Sequence, residues 1–224
     1  MVSIMVSMNR LDNTTRAQVV KCLCDGNSIR ATVRITGVAK NTVVKLLCDL
    51  GAACAEYHHE NVCDLRVRRL QCDEIWSFIG SKAKNTSPEK KQEGCGDAWT
   101  WTAIDADTKL IVSYLVGGRD AGWALDFMQD CADRIKGRVQ VTTDGHKAYL
   151  EAVEGAFGMS MRRFTRLTNG FSKKIENHIA AVALYFMYYN FCRVHQTLRV
   201  TPAMEAGIAN HVWTIEELSG LLQK

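Results

Sequence analysis

The sequence has no apolar run long enough to cross a membrane, and its first residues lack a basic stretch followed by an apolar core. A membrane span and a secretory signal are therefore not expected, and the expectation is a cytoplasmic protein with no membrane partner. There is no C-x-x-C pair, and the cysteine count is nine, an odd number. A disulfide framework is not expected; most of these cysteines fall in apolar periodic segments and read as buried free thiols. Residue types alone would allow zinc on Cys54, His58, His59 and Cys63, but surface helix histidines and core cysteines explain them more cheaply. No internal repeat and no low-complexity tract is present, so repeat arrays are not expected.

What is present fits a globular chain: 224 residues, 47% hydrophobic and 23% charged, enough for one medium domain and a small one. The net charge of +4 is unevenly spread. Residues 1–70 carry 10 basic and 6 acidic side chains, residues 71–158 carry 10 and 14, and residues 159–199 carry 7 and 1. An acidic middle between basic flanks suits a metal-holding core gripped by phosphate-binding surfaces, although solvated helix faces would give the same counts.

Residues 11–50 predict three short helices. Asp12 or Thr14 caps the first, which closes at Gly26; Ser28 caps the second, which stops at Gly37. The third carries Val43, Leu46, Leu47 and Leu50 at helical spacing and stops at Gly51. The Gly37 turn gives helix-turn-helix spacing, with the third helix as the one that enters a major groove. Lys40, Asn41, Thr42 and Lys45 would then face DNA, with Arg30 and Arg34 on the supporting helix. Asn pairs bidentately with adenine, and Lys reaches guanine or phosphate. A plain three-helix packing unit is the structural alternative. Residues 52–70 predict a separate connecting helix.

From residue 69 the period changes to two. "RRLQCDEIWSFIGS" predicts a strand, "SKAKNTSPEKKQEGCGD" a polar loop, and "AWTWTAIDADTKLIVSYLVGGRD" a hairpin. An amphipathic helix follows with Trp123, Phe127, Cys131 and Ile135 on one side. "RVQVTTDG" predicts a fourth strand and "HKAYLEAVEGAFG" a helix. Last comes a long helix capped by Ser172, with Ile175, Ile179, Val182, Phe186 and Tyr189 as its core stripe. Two meander strands and one strand after a helical crossover give a mixed sheet with helices on its faces.

Asp73 falls in the middle of the first strand, and Asp144 at the end of the fourth, before a glycine. If those strands are neighbours, both carboxylates project from one edge of the sheet. Two such charges repel unless a divalent cation lies between them, and Mg²⁺ takes hard oxygen ligands of this kind. A paired-ion site would clamp the attacking and leaving oxygens of a phosphoryl transfer. Singly, each has a plainer role: Asp144-Gly145 is a good turn pair and Asp73 a possible ion-pair partner.

The stretches "QCDEIWSFIG", "TWTAIDADTKLIVSYLVGGRDA", "VTTDGHKAYLEAVEGAFG", "RRFTRLTNGFSKKIENH" and "GNSIRATVRITGVAKNTVVKLL" resemble DDE transposases of the insertion-sequence-one group. The resemblance runs in order over roughly residues 8–208. It implies an α/β, RNase H-like mixed sheet with flanking helices over residues 61–200. It implies an N-terminal all-α helix-turn-helix domain over 1–60 and a C-terminal helical tail over 201–224. It also implies Mg²⁺, with Mn²⁺ as a substitute, held by Asp73 (D-E-x-W) and Asp144 (T-D-G). The partners implied are double-stranded DNA, as terminal inverted repeats and target, and further copies of the chain. The basic segment with Arg162, Arg163, Arg166, Lys173 and Lys174 would grip that DNA.

One element of the resemblance is missing. The third carboxylate is expected in an E-R-x-N stretch, and none occurs. Glu151 and Glu154 follow Asp144 too closely, while Glu176 is 32 positions on (176 − 144) but stands in a separate motif, "FSKKIENH". The resemblance thus implies that a fifth strand and the catalytic glutamate are absent between Gly158 and Met159. Three readings follow: a transposase, intact or impaired; a non-catalytic inverted-repeat binder that represses transposition; and, last, an RNase H-like nuclease.

Overall fold

The computed structural model describes residues 11–143 and 174–223. Its N-terminal helices follow from their caps. The Asp12 carboxylate accepts the Thr15 amide at 2.9 Å and opens α1 (Asn13–Cys24). The Ser28 hydroxyl accepts the Ala31 amide and opens α2 (Ile29–Thr36). Gly37 closes α2 at φ 71°, in the left-handed region where a side chain would be strained.

The next helix departs from expectation. It does not stop at Gly51, and there is no separate connecting helix: α3 runs unbroken over Lys40–Asn61, 22 residues. Gly51 here serves an approach between helices. A Cβ on it would lie 2.5 Å from the Ala180 Cα, so the missing side chain lets α3 and the later helix α6 (Ile175–Met187) touch backbone to backbone.

The sheet contains β1 (Arg69–Ile79), β2 (Gly96–Asp105), β3 (Ile111–Gly117) and β4 (Gln140–Thr142), in the spatial order β3-β2-β1-β4. The first three form an antiparallel meander, and β4 pairs parallel with β1. The crossover between β3 and β4 is α5 (Ala121–Arg134), capped by Asp120. In the β2–β3 turn, the buried Asp105 carboxylate accepts the Asp107 amide and the Thr108 hydroxyl, and Lys109 takes φ 61°. The loop expected after β1 is partly ordered into a 3₁₀ turn (Ala83–Asn85) and α4 (Pro88–Gln92), whose N-cap is Ser87.

Alternation in β1 sends successive residues to opposite faces. One face meets α5: the Trp101 and Phe127 ring centroids are 5.8 Å apart, and the Ser113 hydroxyl donates to Asp130. The other meets α6: Tyr114 and Phe186 are 5.2 Å apart, and Ser77 pairs with His178. Both faces are therefore covered, as a mixed sheet with flanking helices requires.

The expected core stripe of α6 needs correction. Val182 and Phe186 are buried on the sheet, but Ile179 is 42% exposed. Ala180, Ala183, Leu184 and Met187 are buried as well, with the core that includes α3, because α6 lies between sheet and α3 and needs two apolar sides. Its N-cap position is Lys174, with no side-chain cap bond; the expected cap, Ser172, lies outside the described residues, as does the helix expected from 146 to 158. A π-helical turn (Tyr188–Cys192) ends it and delivers Asn190 to the sheet. Asn190 is fully buried; its carbonyl oxygen accepts the Ile111 amide and its amide donates to the Ile111 carbonyl.

After α7 (Pro202–Glu205) and α8 (Ile215–Gly220), the chain ends against α1 and α3. Trp213 stacks near Tyr57 and Phe191, at 5.1 and 4.8 Å between centroids. One buried cluster extends from Val19 in α1 through the sheet to Leu221.

Candidate functional site

Asp73 lies in the middle of β1, an inner strand, opposite Thr102 of β2. It is half-buried and lies on the face covered by α6, the same face as Ser77. One of its carboxylate oxygens accepts the Glu74 amide at 2.9 Å, and the Thr102 hydroxyl donates to its carbonyl at 3.2 Å. The parallel ladder between β1 and β4 ends at Gln71–Thr142, so Asp73 is two residues beyond the last pair. In sequence, Asp144 is likewise two residues beyond Thr142, but it lies outside the described residues.

Glu74, next in the strand, faces the other way. Its side chain is almost completely buried and pairs with Arg119 at 3.1 Å. The Arg119 guanidinium lies 4.2 Å from the Trp99 ring centroid, and Lys82 is 5.1 Å from that of Trp76. None of Arg119, Trp99 and Lys82 was singled out in the sequence, since their meeting depends on β1–β2 register; aromatic residues repeated at every second position in "WTW" and "EIWSF" were the available signal.

Glu176 occupies the first turn of α6 and is exposed. Its nearest described connection is to α3: burial, Asp49 and Glu176 together push the Cys48 thiol above its ordinary value, and Cys48 donates to Asn177 at 3.2 Å. Two residues further on, His178 reaches Ser77 of β1 at 3.1 Å, and burial holds its imidazole below the usual range. Lys174 is exposed just ahead of the helix. Arg162, Arg163, Arg166 and Lys173 lie outside the described residues.

Among the described residues no group of three or more His, Cys, Asp or Glu side chains is gathered closely enough to hold a metal ion. Asp73 belongs to no such group among the described residues. The zinc candidates are explained otherwise. Cys54 is fully buried, His58 is bonded to the Ile111 carbonyl at 3.1 Å, and exposed Cys63 donates to the Glu60 carbonyl. All nine cysteines are free; Cys24, Cys54, Cys72 and Cys131 are buried, whereas Cys63 is exposed and the other four are half-buried.

At the N-terminal end, α2 and α3 meet through the Gly37 turn, and Arg30, Arg34, Lys40, Asn41 and Lys45 are exposed, with Thr42 half-buried. Lys45 pairs with Asp49 one turn on, so part of its charge is already balanced. Ala39 at the α3 N-cap gives no side-chain cap bond, which leaves first-turn amides for another acceptor.

A further polar cluster escaped the sequence. Arg134 is buried and bonds both Asp130 oxygens as well as the His58 and Val62 carbonyls. Burial raises the Asp130 pKa, but hydrogen bonds from Arg134 and Ser113 outweigh it and hold the carboxyl below its usual range. Burial and neighbouring Arg134 lower His58 to about 4. Its partners come from α3, β3 and α5, distant in sequence.

No known protein family matches this chain, and no curated protein matches it in sequence. Among the described residues no helix is long and apolar enough to cross a membrane.

Proposed function

We propose that the chain is a cytoplasmic DNA transposase of the DDE type, with an RNase H-like sheet and a helix-turn-helix made by α2 and α3. The observation that carries this reading is Asp73: a half-buried carboxylate mid-way along an inner strand, beside a parallel strand that leads in sequence to Asp144. The order β3-β2-β1-β4, with an α-helical crossover before β4, supports the same reading. The motif resemblance adds the substrate: double-stranded DNA, bound as inverted repeats and target by a chain that pairs with further copies of itself.

In this reading Asp73 and Asp144 are the ligands for Mg²⁺, or Mn²⁺ in its place, which would supply charge neutralisation at the scissile phosphate. Lys40, Asn41 and Thr42 contact base edges and phosphates of the element end, with Arg30 and Lys45 on the flanking backbone. The basic side chains Arg162, Arg163, Arg166, Lys173 and Lys174 hold the strand at the cut.

A second reading has its own support. Glu176 is exposed in the first turn of α6, and no E-R-x-N stretch exists, so the third carboxylate of the triad is unaccounted for. The chain would then bind inverted repeats without cutting them and so repress an intact transposase. The test is Mg²⁺-dependent nicking and strand transfer on an inverted-repeat duplex, with Asp73→Asn and Glu176→Gln. Cleavage abolished by Asp73→Asn supports the enzyme. Loss with Glu176→Gln as well assigns Glu176 as the third ligand, and cleavage that survives it removes Glu176 from the site. Binding without cleavage supports the repressor, and absence of both sinks the two readings together.

A further inference from the structure

The β1–β2 hairpin carries half-buried aromatic rings on the face shared with Glu74, beyond the reach of β4. Trp76 and Trp99 are direct cross-strand partners, and Phe78 lies 5.8 Å from Trp76 between ring centroids. Trp76, Phe78 and Trp99 remain half-buried rather than enclosed, unlike Trp101, which is fully buried and donates its indole N–H to the Gly118 carbonyl. Two cations lie over these rings: Lys82 at 5.1 Å from Trp76 and Arg119 at 4.2 Å from Trp99. Arg119 is anchored by Glu74 yet keeps 36% of its side chain exposed. The adjoining loop, residues 81–95, adds three lysines to Lys82 against two glutamates.

We infer that this surface is a stacking platform for an unpaired nucleotide of a DNA strand, separate from the duplex-reading surface of α2 and α3. Indole faces accept any base by stacking, and nearby cations meet the phosphates on either side. Trp76 and Trp99 are half-buried, so each ring keeps part of its surface accessible to a base. Lys82 sits on a flexible stem and can swing from the Trp76 ring to a phosphate as the base arrives. Asp73 is three residues from Trp76 along the same strand, about 10 Å, but on the opposite face of the sheet, so the platform is a site distinct from the proposed cleavage point. The inference rests on the DNA reading above for its ligand, but on different residues.

The test titrates the full chain with a fluorescein-labelled oligothymidylate and, separately, with a duplex of the same length. Binding to the single strand should quench tryptophan fluorescence. Trp76→Ala should weaken that binding about tenfold, and Lys82→Glu should weaken it and flatten its salt dependence, while duplex binding stays unchanged. Trp76→Phe keeps a stacking ring; it should hold affinity within about threefold and lose part of the quench. Thermal melts of each variant check folding, and Lys82→Glu and Trp76→Phe keep the core intact if Trp76→Ala does not fold. Unchanged oligothymidylate affinity in both Lys82→Glu and Trp76→Ala overturns the platform. Duplex binding without any single-strand binding overturns it and leaves the DNA reading standing. Single-strand binding that depends on Trp76, in a chain that ignores inverted-repeat duplex, supports the platform and sinks the transposase reading.

Discussion

Acidification should destabilise this fold through one buried histidine. His58 is almost fully buried in α3, its Nε2–H donating to the Ile111 carbonyl while Arg134 stands beside it. Burial first, and Arg134 next, lower its folded pKa from 6.5 to about 4. The folded state thus resists a proton that the unfolded chain accepts, and stability must fall as pH drops from 6.5 through about 4. The full difference is about 3 kcal/mol, of which about 2.5 kcal/mol is lost by about pH 4.5. Against a typical total of about 5–15 kcal/mol this is a large share. Urea denaturation at about pH 7.5 and about pH 4.5 measures it, with His58→Gln as the comparison. Gln keeps a donor for Ile111 but cannot titrate, so the variant should start less stable and lose less on acidification. If wild type and His58→Gln fall by the same amount, the buried imidazole is not the acid-sensitive group. His178, which burial also lowers, would then be the next residue to replace.

Other expectations test packing and caps. Gly51→Val should lower stability by about 2 kcal/mol or more, because its Cβ would meet Ala180 backbone at 2.5 Å; a Tm unchanged or raised would show that α3 and α6 can separate cheaply. Asn190→Ala strips the buried Ile111 amide of its acceptor and should cost about 2–4 kcal/mol in a denaturant midpoint, whereas an exposed site would show almost nothing. Ser28→Ala removes the α2 cap and should cost about 1 kcal/mol, with lower duplex affinity in a gel shift if α2 supports the reading helix.

The local features of the fold were legible because local chemistry sets them. Asp12, Ser28 and Gly37 end helices by hydrogen bonds and dihedrals that involve only near neighbours. The strict alternation of "RRLQCDEIWSFIGS" and the Asp105 turn likewise carry their own signal. Gly51 misled, since a glycine that ends a helix and one that admits a neighbouring helix look alike without that neighbour. The stripe expected on α6 failed for a similar reason: a helix between two layers needs two apolar sides, and a single-period reading finds only one. At the candidate site, Asp73 was readable as a lone carboxylate in a semi-apolar strand. The bonds of Arg119 to Glu74 and of Arg134 to His58 join residues 45 and 76 positions apart, which no periodicity encodes.

The unbroken α3 has a consequence for phase. Its 22 residues span about 33 Å, with Lys40 and Asn41 at one end and the sheet-bonded His58 near the other. Each residue of an α-helix turns the chain by about 100° about the axis, so the direction in which Asn41 points is counted out from Gly51, not set by a flexible joint. Inserting a single alanine between Asp49 and Leu50 would swing the first turn of α3 by about 100° and carry α1 and α2 away from their contacts. Inserting four alanines there would overshoot a full turn by only about 40° and restore most of the facing. The register between the two ends of α3 is therefore periodic in chain length, a property that a flexible linker would lack.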